Sequence, residues 1–248
     1  MLIYSLCEPL CKDPQSTRVR DRPPPRYSGT IGEHLICGSS TLSTKSPDKM
    51  PDKNFSQPSS IQFAIPDWIT AYAVNKDKLM DIGDKMEFVL GAARQNILRK
   101  TGGPFAAAVF EQESGRLVSL GVNLVTREGL SILHAEMVAI ALAQQKLGVY
   151  DLGSAELPGH ELVTSTEPCA MCFGALPWSG IKRLITGARD ADARGIGFDE
   201  GPKLARWQSA LEERGIEVVT EVKQAEAAKV LRDYAARGGH IYNSRESS

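Results

Sequence analysis

The sequence predicts an α/β fold, a three-layer α/β/α sandwich around a mixed five-stranded sheet. Two observations carry this. Short apolar runs of strand length alternate with segments of helical period, and the first two runs are joined by a turn compact enough for a hairpin, while helical segments lie between later ones. In chain order, Asp81–Arg99 sets Ile82, Met86, Phe88, Val89, Leu90, Ala93, Ile97 and Leu98 near helical spacing. An amphipathic helix is expected there, ended by Thr101-Gly102-Gly103-Pro104. Phe105–Phe110 and Leu117–Leu124 follow as strands linked through Glu113-Ser114-Gly115. Met137–Lys146 reads as a buried helix starting beside His134. Glu161–Ser165 is a short strand running into a helix that begins at Pro168. Arg183–Thr186 and Ile216–Val219 complete the strands, and Ala225–Ala236 is a terminal helix. In such a sheet the loops leaving the strand ends are expected to hold the chemistry.

The first sixty residues do not share this patterning. They carry Pro23-Pro24-Pro25, many Ser, Thr, Lys and Asp, and no sustained period of 3.6 or 2. Residues 1–60 therefore read as a disordered extension, or an upstream start with Met50 as initiator, and residues 61–248 as the folded domain. Met1–Cys7 is apolar, but Glu8 and Pro9 interrupt it and no basic segment precedes it, which argues against a secretory signal. No run approaches the ~18–20 apolar residues of a membrane span. Five cysteines, two of them assigned below to a metal, fit a reducing cytoplasm better than a disulfide framework. The chain has 29 basic and 30 acidic residues, of which 8 and 6 precede residue 54, leaving the remainder at −3. That balance argues against a polyanionic substrate such as tRNA or DNA.

His134-Ala135-Glu136 and Pro168-Cys169-Ala170-Met171-Cys172 carry the chemistry. Cys169 and Cys172 are three apart, so both thiols leave one face of a first helical turn. His134 and Glu136 are two apart, which in mid-helix directs them roughly 200° from each other, so they converge only at a helix end. Two helix N-termini would then face one metal, and their positive dipole ends favour thiolates. His134, Cys169 and Cys172 are three ligands of the types Zn2+ takes, and a fourth position left to water marks a catalytic site. Glu136 is the group placed to move protons. Two cysteines alone would read as a structural knuckle or buried thiols, and His134 alone as an ordinary histidine. Their joint order and spacing match the signature of zinc nucleobase deaminases, in which the Glu is general acid/base and not a ligand.

From about residue 80 to the C-terminus the chain resembles the cytidine deaminase superfamily, and within it the bacterial guanine deaminases. The residues carrying the likeness are Gly102-Gly103-Pro104-Phe105, Asn123, His134-Ala135-Glu136, Thr166-Glu167-Pro168-Cys169, Cys172-Phe173-Gly174-Ala175, Trp178-Ser179-Gly180, Gly197–Pro202 and the Ile241-Tyr242-Asn243 tail. The resemblance implies hydrolysis of a small-molecule purine base, guanine to xanthine and ammonia, and a homodimer in which the C-terminal segment is sometimes exchanged between subunits. It implies a second catalytic carboxylate at Glu200, a base-edge contact from Asn123, and rings of Phe105 and Phe198 packing the faces of the base. Ala135 and Tyr242 join these as substrate contacts, with Tyr242 on a tail hinged at Gly238-Gly239. The competing readings are an aminotriazine (ammeline) deaminase, a tRNA adenosine deaminase, and a non-catalytic zinc-stabilised binding module. An active-site carboxylate beside an open metal position counts against the last.

Overall fold

In the computed structural model, residues 58–74, 76 and 78–244 are described. The disordered-extension reading of residues 1–60 falls, except for its last three positions, outside them. Pro58–Ser248 form one compact unit. Its elements are α1 (Trp68–Ala73), α2 (Ile82–Leu98), β1 (Ala106–Glu111), β2 (Leu117–Val122), α3 (Val125–Glu128), α4 (Ala135–Leu147), β3 (His160–Thr166), α5 (Ala170–Ser179), β4 (Arg183–Ala188), α6 (Asp190–Gly195), α7 (Trp207–Glu212), β5 (Glu217–Val219) and α8 (Gln224–Ala236).

The five strands form one sheet in the order β2-β1-β3-β4-β5. The β1/β2 hairpin and the β1/β3 pair are antiparallel, whereas β3/β4 and β4/β5 are parallel, so the sheet is mixed. Period-2 alternation sends Ala106, Ala108, Phe110, Val163 and Ile185 into one core layer with α2 and α8. Ala107, Val109, Leu162 and Leu184 point into the other, with α4, α5 and α7. Asp81 caps α2 by accepting a hydrogen bond from the Asp84 N–H at 3.0 Å.

Gly121 on β2 determines how close α4 sits. A Cβ there would lie 2.4 Å from the Ala135 carbonyl and 2.5 Å from the Ala139 nitrogen, so only glycine admits the first turn of α4 against the sheet. That first turn carries His134 and Glu136.

Two expectations need correction, and four short helices had not been expected. The Cys-bearing helix begins at Ala170 with Cys169 as its N-cap, not at Pro168. The short helices α1, α3, α6 and α7 had no periodic signal, because four to six residues cannot complete two turns of a 3.6-residue period. Finally, Gly238-Gly239 is a fixed turn rather than a hinge. Gly238 is left-handed at φ 70°, the Gly239 N–H donates to the Tyr234 carbonyl at 3.0 Å, and a Cβ on Gly239 would sit 2.5 Å from the Tyr234 ring. Tyr234 Oη also donates to the His240 carbonyl at 2.7 Å, so the tail leaves α8 in a set direction.

Candidate active site

His134 is the N-cap of α4 and Cys169 the N-cap of α5, both in extended conformation at φ −66° and −64°. The two helix N-termini bring His134 Nδ1 to 3.4 Å from Cys169 Sγ and 3.6 Å from Cys172 Sγ. A tetrahedral zinc with Zn–S of about 2.3 Å and Zn–N of about 2.05 Å has an N···S edge of about 3.5 Å, so these separations are those of three ligands around one ion. All three ligand atoms lie within 4.8 Å of one another, and among the described residues no fourth His, Cys, Asp or Glu joins them. His160 is unavailable: it opens β3, is fully buried, and its Nδ1 lies 2.9 Å from the Leu152 carbonyl. Cys7, Cys11, Cys37 and His34 lie outside the described residues.

The electrostatics match the donor set. A hydrogen bond from the Cys172 thiol holds Cys169 down to about 4, and the same shared proton, with burial, drives Cys172 well above the ordinary thiol value. Together the pair carries one negative charge without a cation, and a bound dication would take both as thiolates. Burial, then the Cys169 charge, raises Glu136 to about 7. Burial, then the Cys169 and Glu136 charges, raises Glu200 to about 8.

The ligand cluster opens into a cavity of about 440 Å³ lined by Phe105, Asn123, His134, Glu136, Cys169, Phe198, Glu200 and Tyr242. Glu136 and Glu200 are each only 7 % exposed. Glu200 is therefore no solvated loop acid. Its backbone carbonyl accepts from the Ala170 N–H at 2.9 Å, tying its loop directly to the first turn of the Cys helix.

Two of the expected substrate contacts are placed differently. The Ala135 side chain is fully buried in the sheet-facing core and does not line the cavity. Phe105 and Phe198 lie edge to face, with centroids 4.9 Å apart and planes at 66°. A base between two rings would hold them roughly 7 Å apart, two van der Waals contacts of about 3.5 Å, so these rings form one wall and not a slot.

Asn123 follows β2 and is buried, with its Nδ2 donating to Tyr242 Oη. Tyr242 also meets Phe198 edge to face at 5.2 Å. Sequence reasoning did not single out Asn243, although it stands in the tail motif. Its Oδ1 accepts from the Asp199 N–H at 2.8 Å and its Nδ2 donates to the Gly197 carbonyl at 2.9 Å, so the tail clamps the loop that bears Glu200. Val125, Ser131, Thr166 and Met171 also line the cavity, and no spacing in the sequence marks them.

The family model of the cytidine and deoxycytidylate deaminase zinc-binding region matches residues 82–188, which span both ligand motifs. Over 115 residues the chain is 36 % identical to guanine deaminase of Bacillus subtilis, covering 46 % of this chain and 69 % of that one. The solved guanine deaminase of Nitrosomonas europaea is 42 % identical, with a TM-score of 0.70 over 73 % of this chain and 100 % of that one. A further solved structure, in complex with 2,6-diaminopurine, is 46 % identical with a TM-score of 0.69, covering 74 % and 97 % of the two chains. No helix among the described residues is long and apolar enough to cross a membrane. The chain is thus a member of the zinc-binding cytidine and deoxycytidylate deaminase family, on the side of it that holds these guanine deaminases, and a zinc-dependent aminohydrolase.

Proposed function

We propose that the enzyme hydrolyses guanine to xanthine and ammonia. The observation that carries this reading is Glu200, a second buried carboxylate in the cavity that already holds Glu136. Guanine presents two adjacent donors, the N1–H and the 2-amino group, and an acid accepts from such a pair, whereas the corresponding edge of adenine offers a ring-nitrogen acceptor beside its amine. Zinc held by His134, Cys169 and Cys172 would supply acidification of the attacking water. Glu136 would take one proton from the attacking water as its oxygen adds to C2 and pass it to the neighbouring ring nitrogen, then carry the second proton, from the new C2 hydroxyl, to the amine as the C2–N bond breaks and the C2 carbonyl forms. Glu200 holds the amine edge and supports that transfer. Asn123 hydrogen-bonds the opposite side of the base, and the Phe105/Phe198 wall packs against it.

Following ammonia release from guanine, adenine, cytosine, cytidine, ammeline and an adenosine-containing RNA hairpin tests this reading. Turnover confined to guanine, or guanine with ammeline, supports it. Preference for the hairpin or for a pyrimidine would overturn it, and zinc binding without any turnover would leave a binding module. The net charge of −3 beyond residue 53 weighs against the hairpin.

Tyr242, which lines the cavity, acts here as the cover of the bound base. Deleting residues 239–248 is expected to lower kcat/KM for guanine about tenfold or more while zinc is retained, since water enters and the field around the metal weakens. Unaltered kinetics would make the tail a mere terminus.

The same reading takes the protein as a cytoplasmic homodimer: cysteine usage favours a reducing compartment, and the resemblance implies the dimer. Supporting the dimer, α5 leaves Met171, Gly174, Ala175 and Trp178 along one helical face at i, i+3, i+4 and i+7, and Trp178 is 83 % exposed. Met171 also lines the cavity, so a partner on this face would border the site. Light scattering is expected to give twice the chain mass, and Trp178→Glu to halve it; a monomeric native protein would refute the dimer.

A further inference from the structure

Lys203 stands outside every motif above, yet its side chain is only 7 % exposed. Its ammonium donates to Glu167 Oε2 at 3.1 Å and to the Pro168 carbonyl at 3.2 Å. It pairs with Asp190 Oδ1 at 3.1 Å, and the Trp207 ring covers it with its centroid 4.9 Å away. Two hydrogen bonds and one ion pair thus surround the ammonium, and an aromatic face shields it. Two of those oxygens belong to the residues immediately before the zinc ligand Cys169. Lys203 itself follows Glu200 by three residues.

The loop between them is held at every step. Gly201 is left-handed at φ 69°, its N–H donates to Asp199 Oδ1 at 2.9 Å, and its carbonyl accepts from Arg194 Nη2 at 2.8 Å. Arg194 Nε in turn donates to the other oxygen of Asp190 at 2.6 Å. Asp190 therefore gathers Lys203 and Arg194, which grip the Glu200 loop from two sides. On the zinc side, the Ala170 N–H holds the Glu200 carbonyl.

We infer that Lys203 is a positioning residue for deamination: it fastens the Glu200 loop to the turn that presents Cys169, so that the second carboxylate and the metal ligands keep one fixed geometry. The inference rests on the proposed role of Glu200. Its chemical logic is that a carboxylate in proton transfer has to lie within hydrogen-bond reach of its target, and a displacement of about 1 Å can cost on the order of a hundredfold in rate. A lysine that served only the fold would alter the amount of folded, zinc-loaded protein and not the turnover of each loaded site.

The test compares Lys203→Met and Lys203→Arg, with zinc content, kcat per bound zinc and KM measured for guanine. The expected result is a fall in kcat per zinc of about tenfold or more for Lys203→Met, a smaller fall for Lys203→Arg, and KM within about threefold of the native value in both. In a Glu200→Asp background, where the acid is already displaced, Lys203→Met is expected to lower kcat by less than about threefold more. Unchanged kcat per zinc in the folded variants, or a full multiplicative loss in the Glu200→Asp background, overturns the inference. If Lys203→Met fails to fold, Lys203→Arg decides by the same criterion, because its planar fork cannot reproduce the contacts of one nitrogen with Glu167, Pro168 and Asp190. If the native enzyme does not turn over guanine, the proposed function fails, and the same variants are scored on whichever amino-base it does deaminate.

Discussion

Glu136→Gln is expected to keep one zinc per chain, fold as the native protein does, and lose about ten-thousand-fold in turnover. The amide keeps the size and polarity of the side chain but cannot carry a proton. Glu136 stands beside the ligand His134 yet is not one of the three ligand groups, so metal affinity has no reason to fall. General acid/base catalysis is worth roughly a hundred to ten thousand-fold. The upper end applies because, in the proposed mechanism, one carboxylate serves two transfers, from water to the ring nitrogen and from the C2 hydroxyl to the departing amine. In the metal-free site burial and the Cys169 charge raise its pKa to about 7, and a bound cation lowers it from there toward the carboxylate form that accepts a proton. The control is Cys169→Ala, which removes a ligand and is expected to lose metal and activity together. Metal analysis beside steady-state kinetics reads both variants; loss of zinc in Glu136→Gln, or retained turnover, would make the residue structural.

What the sequence revealed follows from which interactions are local. Helix α2, α4 and α8 and all five strands were legible because their apolar residues recur with the period of the element, and the boundaries shifted by one or two positions. The ligand set was legible because each motif is a short segment whose spacing dictates convergence at a helix start. Long-range placement was not. Lys85 falls within the expected amphipathic helix α2, and nothing in the periodicity of the helix marks it as buried. In the structure it is 1 % exposed, its charge met by Glu161 Oε1 on β3 at 2.5 Å, with Arg183 Nη1 on the other oxygen at 3.0 Å. That triad is separated by 76 and 22 positions along the chain, and no local pattern encodes it. The same holds for Phe105 and Phe198: a pair of aromatics can be guessed at a site, but whether they sandwich a base or lean on each other is decided by β1 and the loop after α6 meeting in space. Asn243 and Lys203 escaped notice for the same reason, since their partners are Gly197, Asp199, Glu167, Pro168 and Asp190.

Glu200→Ala is expected to abolish measurable guanine turnover while zinc content and folding are preserved. The metal is held by α4 and α5, and the Glu200 loop meets them through backbone, as in the Ala170 N–H to Glu200 carbonyl bond that any side chain leaves intact. What disappears is the carboxyl group itself. Burial and two neighbouring negative charges raise it to about 8 in the metal-free site, against about 7 for Glu136. A bound cation draws both values down, toward the ionised form that the proposed reading has accepting from the amine edge. Truncation also leaves the guanine N1–H and 2-amino donors without an acceptor, and an unpaired buried polar pair costs about 1–3 kcal/mol for each group beyond the lost proton transfer. Glu200→Asp retains the charge about one carbon short of its target and is expected to keep part of the activity. The deciding measurement is guanine turnover per bound zinc in the native, Glu200→Asp and Glu200→Ala enzymes. A descending series supports the second carboxylate, whereas equal rates in all three would remove Glu200 from the chemistry and, with it, the reason to read this cavity as a guanine site.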